Sequence, residues 1–510
     1  MRTRDIKQWL SAADPAEAES PYDPDDDMAP ENQVPVYSTQ LEETESDWDA
    51  FITHAAARLR DRKEKRRYLF VSNTVPLVAS DPGTSSEERV ELFQLLLQTT
   101  LSYNDRKSRV CLVRAGCTLL DADTAHCPKQ PLSSMLVRES VHALQPEVER
   151  TTRSDLRLCC TPLRLVALYD WVYCVLSYVL HGEHASIKND SNFMLLMKMY
   201  ARLHGTYVAA LVRKHMCISS VSARLRQWES DPGCLSLLLH AALKLPAAEA
   251  LASCALQGHL ITVCCLGVKD TQRAGALELV QSIKVLVLQF YSTNVLSSKV
   301  PLPETLRTAK SHPYRYFFKS VVTPADLDEH VLPTLQKMLL RSPEHAFYDL
   351  GVLCTCVAVD KTSILSRFQN VMVSSIASSN PATREAVLSL SDSLFKADDI
   401  TAFADAVCKS IKAGDVRSEE QRLAQYKLLW SCVPNESNSP GLLGSMAPVL
   451  LKETQPSSVA AAVDAVSKHI HFLLEHDVEV PSAFMKAFIG KTSSPKPPVR
   501  AAALCGMYPA

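Results

Sequence analysis

Glycine is scarce in this chain of 510 residues, with 14 in all, which leaves little material for the turns of an all-β fold or for loops that cradle phosphates. None of GxxxxGK[ST], GxGxxG or GxSxG occurs, so nucleotide binding and the common hydrolase elbow lack the backbone geometry they need. No CxxC pair is present to seed a zinc site. The N-terminus has no apolar stretch of the kind that opens a secretory signal. The two most apolar stretches, residues 163–180 and 245–268, are interrupted by Asp170 and by Glu249 with His259. A membrane span would bear a cost of several kcal/mol for such groups, so these stretches read as buried helices and no membrane span is expected. Net charge of one sign is also lacking: 54 Lys and Arg against 56 Asp and Glu argue against a protein that coats nucleic acid along its length.

What is present points to helices. Hydrophobic residues make up 46% of the chain, enough to bury a core. Sixteen cysteines lie scattered in apolar runs, as at Cys159 and Cys160, Cys264 and Cys265, and Cys354 and Cys356. Such cysteines read as reduced, buried small hydrophobes in a cytoplasmic or nuclear protein. Residues 1–46 are acidic and proline-bearing and cannot bury enough apolar surface to offset chain entropy, so a disordered head is expected there. Next, Trp48, Phe51, Ile52, Ala55 and Leu59 fall on one face of a helix, and Arg58, Arg60, Arg62, Lys63, Lys65, Arg66 and Arg67 crowd its far end. These seven residues are the candidate contact for rRNA or an acidic protein surface, where each phosphate neutralised adds salt-dependent affinity. The alternative is a solvated helix end held by the acidic head.

From residue 47 to 275 helical runs recur with irregular spacing, as expected of diverged helix pairs, with a loop over 121–131. From 276 onward the pattern tightens. Residues 277–296 read as one long helix, and the segment from Pro301 as its partner. Pro343, Pro381, Glu419, Pro456 and Pro497 then fall about 38 residues apart, each opening an amphipathic run. Proline and acidic residues suit a first helical turn, so each marks the return helix of a pair. Asp326 or Asp328 is expected to cap the outer helix of the first pair, and Gly414 to stop that of the third.

Two internal echoes support the repeat. Pro333 and Pro448 occupy the same place in an outer helix about three periods apart, and Arg384 and Arg500 open return helices at a similar separation. An outer helix bent by proline, with an inner helix opened by arginine, resembles the HEAT repeat. The fold class expected is therefore all-α: an α-solenoid of HEAT-like, armadillo-type repeats over 276–510. The arginines read as members of a polar ladder between neighbouring repeats. One pair alone cannot bury its apolar face, so stacking supplies the core and leaves an extended surface for partners.

Traces of catalysis are few. His181 and His184 in HGEH stand near enough for a metal, but no HExxH helix or evident third ligand accompanies them, so a helix-end loop is expected instead. His469 and His471, two residues apart, face different sides of a helix and read as surface positions. No cofactor, no metal and no small-molecule substrate is expected.

One segment goes beyond generic repeats. VLQFYSTNVLSSKVPLPE, residues 287–304, followed by HVLPTLQKMLLRSPE, residues 330–344, resembles the N-terminal region of the giant HEAT-repeat activator of the general-control kinase, which phosphorylates the alpha subunit of translation initiation factor two. VPSAFMKAFIGKTSS from Val480 and PVRAAALCGM after it keep the order of that family. The resemblance covers roughly the second half of the chain. It implies a cytoplasmic, ribosome-associated scaffold that supports activation of the kinase during amino-acid starvation, without catalysis of its own. The family's elongation-factor-three-like middle and kinase-binding C-terminal region have no counterpart here. The chain is therefore expected to be an N-terminal piece, cut within its fifth repeat, for which direct docking of the kinase is doubtful. A generic HEAT adaptor in transport or complex assembly is the alternative.

Overall fold

The computed structural model describes residues 47–60, 70–102, 106–124, 131–152, 162–214, 231–267, 270–298, 302, 306, 308–394, 401–413 and 418–507. These residues are helical, with connecting turns, and no strand occurs among them. The expected disordered head lies outside the described residues. Two compact units divide between Leu279 and Val280.

The first unit holds α1 (Asp47–Arg60), α2 (Val75–Ser80), α3 (Ser86–Ser102), α4 (Arg106–Thr124), α5 (Met135–Thr152), α6 (Pro162–Leu180), α7 (His184–Ile187), α8 (Ser191–Lys214), α9 (Pro232–Leu243) and α10 (Ala250–Thr262). In α1, Trp48, Phe51, Ala55 and Leu59 are buried at the expected spacing, and Trp48 Nε1 donates to Glu91 Oε2 on α3 at 2.7 Å. Helix α4 continues to Thr124, so residues 121–124 of the expected loop are helical, and residues 125–130 lie outside the described residues.

Helix α6 packs against α3, α4, α5 and α8, and its residues 165–180 are buried except for half-buried Tyr178, as in a helix enclosed on most sides. Its Asp170 is buried and lies 3.2 Å from Arg109 Nε on α4. Its Trp171 is fully buried, meets Phe93 edge-on at 4.8 Å and lies over Gly116. A Cβ at Gly116 would stand 2.2 Å from Trp171 Cζ3, so only glycine admits this approach. Residues Ala247–Leu266 are long and apolar enough to cross a membrane, yet 67% of that stretch is buried within the protein. The charge that interrupts it is paired: Arg202 Nε donates to Glu249 Oε2 at 2.8 Å.

Helix α11 (Asp270–Ser282) spans the division, and α12 (Lys284–Phe290) follows it. The single helix expected over 277–296 is thus broken at Ile283, and its last part, Tyr291–Leu296, is a π turn. Tertiary contacts account for both departures. Lys284 Nζ is drawn to Asp326 Oδ1 at 2.7 Å, Ser292 Oγ donates to the His330 carbonyl at 2.5 Å, and Tyr291 joins a buried ring cluster with Tyr314 and Phe318 at 5.4 Å each. Of the partner helix expected from Pro301, residues 301, 303–305 and 307 lie outside the described residues; Leu302 and Leu306 are buried, residues 308–311 form bends and turns, and α13 (Arg315–Ser320) follows.

The second unit then stacks five helix pairs: α14 (Pro324–His330) and α15 (Leu332–Leu339) with α16 (Pro343–Cys356); α17 (Lys361–Ile376) with α18 (Pro381–Leu394); α19 (Thr401–Ala413) with α20 (Glu419–Trp430); α21 (Asn438–Lys452) with α22 (Pro456–Glu475); and α23 (Ser482–Thr492) with α24 (Pro497–Met507). All five return helices begin at the residues that set the repeat period. Outer helices pack on outer helices from α17 to α23, and return helices on return helices from α16 to α24. Pro333 divides the first outer helix into α14 and α15, while Pro448 lies inside α21. The first outer helix is capped by Thr323, not by Asp326 or Asp328; Asp326 occupies the third helical position and closes the capping box from the other side. Gly414 lies outside the described residues.

Candidate functional site

The N-terminal ends of the return helices carry the most ordered polar network of the second unit. Arg384, on the first turn of α18, donates from its terminal nitrogens to the Ser378 and Ser379 carbonyls at 2.9 and 3.1 Å and to Glu420 Oε2 of α20 at 3.3 Å. Its guanidinium therefore closes the turn of its own repeat and reaches the next. Gln421 Nε2 of α20 donates back to the Ala377 carbonyl at 2.9 Å. Arg422, one turn into α20, donates to both Glu453 oxygens at 3.2 and 3.3 Å, and Tyr426 hydroxyl donates to Glu453 Oε1 at 2.7 Å. Burial first, and then this bond, push the Tyr426 phenol well above its ordinary range. Ser457 of α22 donates to Glu419, and Lys491 of α23 donates to the Leu451 and Glu453 carbonyls. Arg500 of α24 repeats the Arg384 bond, donating to the Ser494 carbonyl six residues back at 2.7 Å. Arg384 thus occupies the ladder between repeats that the sequence pattern implies.

Of the seven basic residues expected at a partner surface, two are described. Arg60 is exposed on the last turn of α1, and Arg58 is half-buried with its Nε donating to His54 Nε2 at 3.3 Å. Arg62, Lys63, Lys65, Arg66 and Arg67 lie outside the described residues. His471 is exposed, but His469 is fully buried, which corrects its expected surface position. It lies between α21 and α22 with Nδ1 2.9 Å from Ser439 Oγ, and burial holds its imidazole down to about 4, with Lys468 adding to the effect.

The HGEH pair separates. His181 Nδ1 sits 2.5 Å from the Ser177 carbonyl of its own helix, whereas His184 meets the start of α9. There the Asp231 carboxylate caps α9 by accepting from the Gly233 and Cys234 amides, and Cys234 Sγ lies 3.2 Å from His184 Nε2. Ligand atoms of His184, Asp231 and Cys234 all fall within 4.8 Å of one another. Burial raises the Asp231 carboxyl, but hydrogen bonds from Cys234 and Gly233 and the nearby His184 outweigh it and leave the group below its usual value. The companions of His184 were invisible in the sequence because Asp231 and Cys234 stand some fifty residues away across segments of irregular spacing.

Stacked helix pairs with their polar side chains joining neighbouring repeats define an α-solenoid scaffold of the HEAT type. Residues 284–418 match the family described as "Stalled ribosome sensor GCN1 N-terminal", and residues 419–507 match "Generalcontrol nonderepressible 1 (Gcn1) N-terminal". The two matches adjoin without a gap over residues 284–507, and both are to the N-terminal region of GCN1. The "Stalled ribosome sensor GCN1" of Homo sapiens and that of Mus musculus are each 25% identical over 296 residues, covering 55% of this chain. The match spans 10% of the length of those relatives. Among solved structures, a chain from "A conserved phosphorylation switch controls the interaction between cadherin and beta-catenin in vitro and in vivo" aligns over 99% of this chain and 95% of its own at 10% identity. Its TM-score is 0.27, too low to carry any argument.

Proposed function

We propose that this chain is a non-catalytic scaffold of translational control that docks on ribosomes in the cytoplasm and supports activation of the general-control kinase under amino-acid starvation. The observation that carries the reading is the continuous match of residues 284–507 to two adjoining GCN1 N-terminal families, whose junction falls at Glu419, where α20 begins. The relatives' printed name, stalled ribosome sensor, supports the ribosome as partner. A repeat stack suits this task because it offers a long surface without needing a pocket. Kinase activation is the finer part of the proposal and rests on the family resemblance.

Within it, Arg58, Arg60, Arg62, Lys63, Lys65, Arg66 and Arg67 form the contact with rRNA phosphates. Arg60, exposed at the C-terminal turn of α1, supports this assignment. The test is sedimentation of the full chain with purified ribosomes at rising salt. Co-sedimentation that weakens with salt and is lost on reversing Arg62, Lys65 and Arg66 to Glu supports the proposal. A chain that stays in the supernatant at low salt defeats the ribosome reading. Binding that persists unchanged in the charge-reversal variant defeats the basic contact alone.

A further inference from the structure

We propose that His184, Asp231 and Cys234 form a zinc site that ties the start of α7 to the start of α9 in the first unit. Three chemically suited donors meet there: an imidazole nitrogen, a carboxylate oxygen and a thiol sulfur, all within 4.8 Å of one another. Tetrahedral zinc with bonds of about 2.0–2.3 Å places neighbouring ligand atoms roughly 3.3–3.6 Å apart. The 3.2 Å between Cys234 Sγ and His184 Nε2 is already close to that edge, and separations of up to 4.8 Å in the cluster close on metal entry by rotation of the side chains.

The scaffold beneath the donors is specific. Asp231 accepts from two backbone amides, Gly233 at 3.0 Å and Cys234 at 3.3 Å, which hold its carboxylate beside the other two donors. Gly233 gives the imidazole its room: a Cβ there would stand 3.2 Å from both Cε1 and Nδ1 of His184. The Leu180 carbonyl lies 3.3 Å from His184 Nε2 and 3.7 Å from Cys234 Sγ, at the remaining side of the cluster. Cys234 and Leu180 are buried while Asp231 is exposed, which leaves an entry path from solvent.

The donor set selects the ion. One sulfur with one nitrogen and one carboxylate suits zinc, whereas calcium and magnesium ask for oxygen ligands. On binding, the Cys234 S–H bond breaks, its proton leaves to solvent and the sulfur lone pair forms the metal bond. Thiolate and carboxylate then balance the two positive charges, and no redox step is involved. The metal joins segments some fifty residues apart in sequence, so its binding energy adds to the stability of this part of the fold.

Cobalt titration of the full chain under a non-thiol reductant tests this. One equivalent with visible d–d bands and a sulfur-to-cobalt charge-transfer band is expected, displaced by one equivalent of zinc. Cys234→Ser removes the charge-transfer band. Asp231→Asn keeps the helix cap, since asparagine caps as well as aspartate. It and His184→Gln each weaken cobalt binding at least about tenfold, because loss even of outer-shell partners costs about that much. These two variants carry the test if Cys234→Ser fails to fold. Failure of the wild-type chain to bind cobalt overturns the proposal, as does wild-type stoichiometry, affinity and spectrum in both Asp231→Asn and His184→Gln.

Discussion

Glu453 is the point at which the ladder of the second unit can be broken with a measurable and divisible effect. Its side chain is 5% exposed and accepts from the Tyr426 hydroxyl and from Arg422. Glu453→Ala leaves the phenol of Tyr426, itself 1% exposed, without an acceptor, which costs about 1–3 kcal/mol. Arg422 is a third exposed, so water replaces its lost partner and adds at most about 1 kcal/mol. The sum is about 1–4 kcal/mol. Glu453→Gln keeps an oxygen for Tyr426 and loses only the charge, so it is expected to cost about 1 kcal/mol. Tyr426→Phe removes the donor, and the double variant with Glu453→Ala should be more stable than the two single effects predict, by about 1 kcal/mol or more. Urea unfolding followed by hydrogen exchange on peptides from α20 and α21 reads all four variants locally. Equal losses for the Ala and Gln variants, or strict additivity in the cycle, would refute the assignment of the energy to the buried phenol.

Two further outcomes are expected from buried positions. Gly116→Ala forces a methyl into the Trp171 ring, 2.2 Å from Cζ3, and should destabilise the first unit by about 1–3 kcal/mol; a thermal midpoint unchanged from wild type would contradict the packing described. His469 is held neutral with its pKa near 4 against an ordinary 6.5. Its stabilising effect is full above pH 6.5 and is lost as pH falls toward 4, because the unfolded chain takes up a proton that the folded one refuses. The loss is about 3 kcal/mol over that window and should largely vanish in His469→Asn, as measured by urea midpoints at pH 7 and pH 4.5.

The repeat architecture was legible because its punctuation is local. Pro343, Pro381, Pro456 and Pro497 mark first helical turns by their own stereochemistry, and Glu419 does so through the macrodipole and the Ser418 capping box. Caps were less legible where several candidates compete: Thr323, Asp326 and Asp328 all suit the position, and only backbone geometry chooses Thr323. The break at Ile283 was not legible, since the apolar spacing runs on through it and the departure is set by Asp326 and His330 of the next pair. His469 was misplaced because periodicity gives the face of a residue, not whether Ser439 on the neighbouring helix will satisfy it. The cluster at His184 escaped for a similar reason. Motif reading looks for ligands at fixed short spacings, and here the histidine that opens the short helix α7 meets a helix cap brought to it by the fold.

The polar ladder described above has a mechanical consequence for the second unit. Directional bonds such as Arg384 to Glu420 and Tyr426 to Glu453 gather along one rim of the stack, where the return helices begin. Between the outer helices the polar links described stand apart, Arg367 to Asp328 and Ser445 to Asp405, among apolar contacts whose attraction tolerates small slips. A strip stitched along one edge bends about that edge. Flexing is therefore expected to open the sparsely linked outer-helix side more readily than the closely stitched rim, giving the unit a softer direction of curvature.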